Sequence, residues 1–129
     1  MIFDDADLEK AAKAAAFSIV VNSGQVCMAS SRVYIQDSIM DQFKKLYLNA
    51  IQAVTGNIGD PLSKDTSFGP QADTQQHKSV SAFVEQAKND RLKVLLDSSP
   101  DKDGKNFVSP MVLHDVPESH NLMQEEIFG

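Results

Sequence analysis

Cysteine is nearly absent from this sequence, and its scarcity limits what can hold the fold together. The chain has 129 residues and a single cysteine, Cys27, which excludes an intramolecular disulfide. The histidines do not pair with each other or with Cys27 at the spacing that zinc ligands need; they are His77, His114 and His120. We therefore predict a fold with no disulfide and no metal site, so Cys27 needs its own explanation.

Basic residues and long apolar runs are also scarce. Lys and Arg number 12 against 18 Asp and Glu, and the resulting formal net charge of -6 opposes binding to nucleic acid or to anionic lipid surfaces. The longest largely apolar run, residues 14–21, is far shorter than the roughly 20 residues that span a bilayer, and the acidic start lacks a signal peptide's basic region. We expect no nucleic-acid or membrane partner, and a cytoplasmic protein, with the mitochondrial matrix as the alternative.

The remaining composition is that of an ordinary soluble domain. Hydrophobic residues make up 42% and charged residues 23%, with glycine and proline spread thinly, which excludes a disordered or fibrous chain. Apolar residues at helical spacing predict three helices. The first covers residues 6–21, and the second begins at a capping-box pattern formed by Ser38 and Asp41. The third begins at Asp73 and Gln76 and ends near Asn89.

Between and after these helices, alternating patterns predict strands at 31–36, 92–96 and 106–113. The segment 55–72 concentrates turn-forming residues and predicts a long ordered loop, and 97–105 predicts a connecting turn. The alternation of helices and strands indicates the α/β class. Met28, Met111 and Met123 are expected to fill the core.

Two interpretations of Cys27 follow from the residues alone. A thiol is a useful nucleophile only as a thiolate, and a turn after a helix is a place where backbone N–H groups can support one. On the other hand, cysteine is among the most buried residue types, and the neighbouring Val26 and Met28 suit a core. Taken without other information, the residues favour the buried, structural cysteine.

A set of short motifs changes this balance. The segment NSGQVC at 22–27, preceded by IFDDADLE at 2–9, resembles the cysteine region of the aldehyde dehydrogenase superfamily. The positions that match that region are Asn22, Gly24, Gln25, Cys27 and the downstream Arg32. Three further landmarks of the family follow in order, namely GDP at 59–61, FGP at 68–70 and EEIFG at 125–129. At 97–99 the family's usual Gly-Gly is replaced by Asp-Ser-Ser.

The resemblance covers the whole chain and implies its architecture. Residues 1–129 would be part of the family's catalytic domain, an α/β unit with helices packed on a mainly parallel sheet. The cofactor domain, the oligomerisation strand and the general-base glutamate of the family have no counterpart in these residues, and the apolar Ile127 and Phe128 at the end agree with a chain that continues. Full-length family members form homo-oligomers.

The resemblance also implies an activity and its residues. The family oxidises a small-molecule aldehyde to a carboxylic acid with NAD or NADP, through a thiohemiacetal and a thioester on the cysteine that matches Cys27. Glu126 matches the residue that hydrogen-bonds the nicotinamide ribose, and Phe128 matches the aromatic that contacts the same region; a solvated carboxylate and a hydrophobic anchor are the alternatives. Glu125 is expected to be a structural neighbour, and Arg32 either a strand-edge ion pair or part of the site's scaffold.

Three functions remain open from the sequence. The first is a fragment of an aldehyde dehydrogenase that is inactive alone, because a general base contributes about 10²- to 10⁴-fold to such reactions. The second is a non-catalytic relic or interaction module that keeps the cysteine by descent. The third is a structural protein that retains the family fold.

Overall fold

The computed structural model describes residues 1–99 and 105–129, so the predicted turn at 97–105 lies mostly outside the described residues. The elements are helices α1 (Leu8–Val20), α2 (Met40–Val54), α3 (Thr74–Asn89) and α4 (Asn121–Gln124), and strands β1 (Lys93–Leu96) and β2 (Val112–His114). Short 3-10 turns at Val21–Gly24 and Asp37–Ile39 follow α1 and precede α2. The α/β class and the three long helices are confirmed.

The starts of α1 and α3 follow from their aspartates. The Asp7 carboxylate accepts a hydrogen bond from the Lys10 N–H at 3.1 Å, and the Asp73 carboxylate accepts one from the Gln76 N–H at 2.8 Å. Each aspartate satisfies an N–H that has no partner within the helix. The predicted capping box of α2 is wrong: the Ser38 hydroxyl accepts a hydrogen bond from Gln36, and a 3-10 turn leads into the helix.

The main core lies between α1 and α2. The α1 residues Ala12 and Ala16 are buried, and their small side chains let α2 approach closely. Phe43 of α2 is fully buried, and its ring stacks on Tyr47 with a centroid distance of 6.0 Å. Phe68, from the long loop, joins the same cluster and so fixes that loop against α1.

A second cluster joins α3 to the end of the chain. It consists of the buried Val80, Val84 and Val108, with Met111 and Ile127 packed against them. The prediction that Met111 packs in the core is confirmed. Because Ile127 belongs to this cluster, the last residues of the chain are held on α3 and next to the turn that follows α1.

The sheet differs from the prediction of mainly parallel pairing. Strands β1 and β2 are antiparallel, with Lys93 opposite His114 and Leu96 opposite Val112. Parallel strands need a crossover, usually a helix, and the described residues contain none between Leu96 and Val112. Parallel pairing is found at two isolated bridges, Ile2 with Ile35 and Ile58 with Phe68.

Two predicted strands are therefore shorter than expected. In the segment 31–36 only Ile35 pairs, because a single residue, Ile2, lies beside it; the Gln36 N–H donates to the Ile2 carbonyl at 2.9 Å. The strand predicted at 106–113 is reduced to a bridge residue, Val108, and to β2, which begins two residues after Pro110, a residue that has no N–H to donate to a ladder. Among the described residues, no helix is both long and apolar enough to cross a bilayer.

Candidate active site

Cys27 lies in a tight turn that comes after α1 and the 3-10 turn Val21–Gly24. The Ala29 N–H donates to the Val26 carbonyl at 2.9 Å and closes this turn around the cysteine. Cys27 is a free thiol and is exposed. The interpretation of Cys27 as a buried core residue is therefore wrong. The prediction that Met28 fills the core is also wrong, because this residue is 82% exposed.

The backbone before Cys27 is strained. Three successive residues have positive φ, namely Asn22 at 52°, Ser23 at 56° and Gly24 at 78°. This region is costly for residues with a Cβ, although asparagine tolerates it better than serine. A reciprocal pair of side chains closes the loop, since the Asn22 Nδ2 donates to the Gln25 carbonyl at 3.0 Å and the Gln25 Nε2 donates to the Asn22 carbonyl at 3.1 Å.

The FGP segment packs on this cysteine loop, residues 22–27. The Ser23 hydroxyl donates to the Gly69 carbonyl at 2.9 Å, and the Gln71 Nε2 donates to the Ser23 carbonyl at 3.2 Å. The Ala72 N–H donates to the Gln25 Oε1 at 2.8 Å. The predicted loop at 55–72 is confirmed as a loop, and its last residues hold the cysteine loop in place.

The tail, residues 125–129, completes the arrangement. The Gln76 Nε2 of α3 donates to the Phe128 carbonyl at 2.7 Å. A Cβ added to Gly24 would lie 2.6 Å from the carbonyl carbon of Gly129, so the two backbones approach more closely than any side chain permits. Three landmarks that are far apart in the sequence, 22–27, 68–70 and 125–129, therefore meet at one place.

The tail presents the other predicted site residues, Glu126 and Phe128, to solvent, and Phe128 has a φ of 58°. Their neighbour Glu125 is also exposed. The segment that carries Glu126 and Phe128 thus ends against the loop that carries Cys27. Arg32 is exposed after the cysteine turn.

His114 and His120 take part in contacts elsewhere. His114 lies in β2, 3.3 Å from the Asp115 carboxylate, and His120 Nε2 lies 3.1 Å from the Asp90 carboxylate. His120 also accepts a hydrogen bond from the Leu122 N–H and so caps α4. In residues 1–99 and 105–129, no group of three or more His, Cys, Asp or Glu side chains is arranged to hold a metal ion.

Sequence reasoning missed the polar residues that join the three landmarks. Gln71 is only 3% exposed, and Ser23 is 6% exposed. Their burial could not be read from the sequence, because glutamine and serine are usually exposed. The only available signal was position, since Gln71 directly follows the FGP landmark and Ser23 lies within NSGQVC.

Comparison with known proteins assigns the family. The sequence model of the Aldehyde dehydrogenase family matches residues 1–129. The chain therefore belongs to the aldehyde dehydrogenase family, and the resemblance inferred from the motifs is confirmed.

Individual relatives agree with this assignment. The chain is 34% identical over 129 residues to the aldehyde dehydrogenase family 2 member C4 of Arabidopsis thaliana, covering 100% of this chain and 25% of that protein. It is 35% identical over 135 residues to the NAD(P)+ aldehyde dehydrogenase 2 of Saccharomyces cerevisiae, covering 100% and 26%. The crystal structure of an indole-3-acetaldehyde dehydrogenase in complex with NAD+ superposes with a TM-score of 0.89 at 33% identity, over 99% of this chain and 26% of that chain. The chain thus spans about a quarter of the length of the relatives it matches.

Proposed function

We propose that this chain supplies the nucleophile of an aldehyde dehydrogenase that oxidises an aldehyde to a carboxylic acid with NAD or NADP. The observation that carries the proposal is the exposed Cys27 on a strained loop that is fixed against the tail bearing Glu126 and Phe128. Strained backbone persists only where the surrounding structure over-determines it, and it concentrates at functional sites. Relatives that use NAD(P) and a structural neighbour with NAD+ bound agree with this cofactor.

In the proposed reaction the Cys27 thiolate adds to the carbonyl carbon of the aldehyde, and a C–S bond forms. The backbone N–H of Cys27 would help to hold the resulting oxyanion, as preorganised donors do in acyl-transfer sites. A bound NAD(P)+ would supply the hydride acceptor for the oxidation of this adduct to a thioester on Cys27, and Glu126 and Phe128 would hold its nicotinamide half. Water then cleaves the thioester, and the carboxylic acid leaves as the thiol is regenerated.

Glu126 and Phe128 are suited to bind the nicotinamide half of the cofactor. A carboxylate accepts two hydrogen bonds and so matches the paired hydroxyls of a ribose. Both side chains are exposed, while the backbone that carries them is fixed by Gln76 and by the packing of Ile127. A fixed backbone with exposed functional groups is what a preorganised binding site requires.

The base that activates water belongs, by the family resemblance, to a segment outside these 129 residues. We therefore propose that the 129-residue chain alone has negligible dehydrogenase turnover. The purified chain with an aldehyde and NAD+ or NADP+ should give no cysteine-dependent rise in NAD(P)H absorbance. A robust rise that Cys27→Ser abolishes would refute this proposal.

The reactivity of the thiol tests the nucleophile directly. Because Cys27 is the only cysteine, iodoacetamide labels one site, and the same chain unfolded in urea provides the reference for an unsupported thiol. We expect alkylation at pH 7 to be at least about tenfold faster in the folded chain, as for cysteines in supportive microenvironments. Equal rates in the folded and unfolded chains would contradict the catalytic role and favour a relic that keeps its cysteine by descent.

A further inference from the structure

Gln71 is a buried amide that lies between the cysteine loop and the tail. Its Nε2 donates to the Ser23 carbonyl at 3.2 Å, and its backbone N–H donates to the Asn106 carbonyl at 2.8 Å. A Cβ placed on Gly129 would lie 2.9 Å from the Gln71 Oε1, so the same side chain lies against the tail. One residue therefore links the cysteine loop, the tail and the segment that leads to β2.

The cysteine loop needs such a link. Ser23 has a φ of 56°, a conformation that residues with a Cβ adopt only under tertiary constraint. It is held from two sides: its hydroxyl donates to Gly69, and its carbonyl accepts from Gln71. The hydrogen bonds within the loop, between Asn22 and Gln25, do not fix how the loop sits on the rest of the chain.

The hydrogen bonding of the Gln71 side chain also argues against the alternative that this residue only fills space in the interior. Its Oε1 is buried and has no hydrogen-bond partner among the described residues. A buried acceptor without a partner is unfavourable, so an apolar residue of similar volume would fill the same space at lower cost. The amide is therefore explained by its donor, the Nε2–H that reaches Ser23.

We propose that Gln71 is a positioning residue, which holds the left-handed backbone of the cysteine loop and sets the orientation of Cys27 relative to the tail. The effect of Gln71 on the backbone of the cysteine loop does not depend on whether the chain takes part in catalysis. Its effect on the reactivity of the Cys27 thiol rests on the proposed function.

Amide hydrogen exchange in the 129-residue chain tests the effect on the loop. The Gln25 N–H donates to the Asn22 carbonyl within the loop, and the Thr55 N–H donates to Ile51 at the end of α2. In Gln71→Leu we expect the Gln25 amide to exchange at least about tenfold faster relative to the Thr55 amide. The matched control is Gln52→Leu, which changes an exposed glutamine of α2 and should leave this ratio as in the wild type.

A conservative variant separates the donor from the volume. Gln71→Glu keeps the shape of the side chain, and when protonated it still has one O–H to donate to Ser23. Burial favours the neutral acid, so we expect wild-type protection of the Gln25 amide near pH 5 and its loss as the pH rises to about 8. This pH dependence should be absent from the wild type and from Gln71→Leu after correction for intrinsic exchange.

The outcomes distinguish the inference from the function it builds on. An unchanged Gln25-to-Thr55 ratio in Gln71→Leu, or a Gln71→Glu variant without the pH dependence, overturns the positioning role. If Gln71→Leu loses protection throughout α3, the pH series on Gln71→Glu decides instead. Under the proposed function, Gln71→Leu also lowers the ratio of folded to unfolded alkylation of Cys27 at least about threefold. If Cys27 of the wild type is alkylated at equal rates in the folded and the unfolded chain, the proposed function is contradicted. The exchange result would still support the positioning role of Gln71.

Discussion

Gly24 is a residue of the cysteine loop at which a positive φ and a close backbone approach coincide. Its φ of 78° is one that glycine adopts freely, and the space beside its Cα is occupied by the backbone of Gly129. A side chain here would meet carbonyl atoms, which cannot rotate away as a flexible side chain can.

For this reason we expect Gly24→Ala to destabilise the chain by about 1–3 kcal/mol, through unfavourable φ and through displacement of the tail. The measurement is the free energy of unfolding from urea titration. Gly56→Ala is the matched control, because a Cβ there meets its nearest atom, the Gln52 carbonyl oxygen, at 3.4 Å, which is an ordinary contact distance. Equal losses in the two variants would show that the close approach at Gly24 does not constrain the fold.

At the level of single residues, the sequence singled out Cys27 as the candidate nucleophile and missed the residues that hold its loop. Cys27 could be singled out because its neighbours form a recognisable motif. The exposure of Met28 could not be read, since methionine is usually buried and its environment depends on the turn that closes around Cys27. The role of Gln71 depends on a contact with Ser23 across 48 positions, which no local pattern encodes.

Helix α3 is the element that connects stability to the site. Its N-cap is Asp73, its first turn carries Gln76, which holds the Phe128 carbonyl, and its middle carries Val80 and Val84, which pack with Ile127. Fraying of its first turn would release the tail before it disturbs the α1–α2 core.

Removal of the cap tests this connection. We expect Asp73→Ala to lower the free energy of unfolding by about 1 kcal/mol, because the Gln76 N–H loses its partner. Asp65→Ala, at an exposed position in the long loop, is the control and should change stability by less than about 0.5 kcal/mol. The Phe128-bearing tail should also become more susceptible to carboxypeptidase in Asp73→Ala alone. Equal susceptibility to carboxypeptidase in the two variants would show that loss of the helix cap does not release the tail.

Helices were predicted better than strands because their signals are local. The aspartates that begin α1 and α3 act on N–H groups three residues away, so the sequence contains both partners. A strand depends on a partner elsewhere in the chain, and the alternation at 31–36 therefore failed where only Ile2 pairs with Ile35. The start of α2 failed for a different reason, since Ser38 bonds to Gln36 rather than to its own helix.

On the scale of the whole molecule, one side-chain contact joins the segment after the cysteine loop to the segment before α4. The Tyr34 hydroxyl donates to the Glu118 carboxylate at 3.0 Å across 84 positions. This hydrogen bond, together with the charge of Glu118, raises the pKa of Tyr34 above its ordinary value of 10.0. Burial in the core likewise raises the pKa of Tyr47.

A raised pKa in the folded state means that folding favours the protonated phenol. The stabilisation from Tyr34 is complete at pH values below 10.0 and is lost as the pH rises through its folded-state pKa. We expect Tyr34→Phe to lower the thermal midpoint at pH 8 and to make the loss of stability above pH 10 less steep.

Tyr47→Phe is the matched control for this prediction, since burial alone raises the pKa of Tyr47. Tyr47→Phe should also make the loss of stability above pH 10 less steep, but its thermal midpoint at pH 8 should equal that of the wild type. Thermal melts at closely spaced pH values would check both variants. A Tyr34→Phe midpoint that matches wild type at pH 8 would mean that the contact with Glu118 adds no stability.

The meeting of the three landmarks has a consequence for the order of folding. The hydrogen bonds of Ser23 to Gly69 and Gln71 span 46 and 48 positions, and the hydrogen bond from Gln76 to Phe128, which holds the tail, spans 52. Each of them closes a long stretch of chain. Long closures are entropically costly and form slowly. Until they form, nothing offsets the strain of Asn22 and Ser23, and the loop samples ordinary backbone conformations. The thiol therefore reaches its final orientation only in a chain that has finished folding.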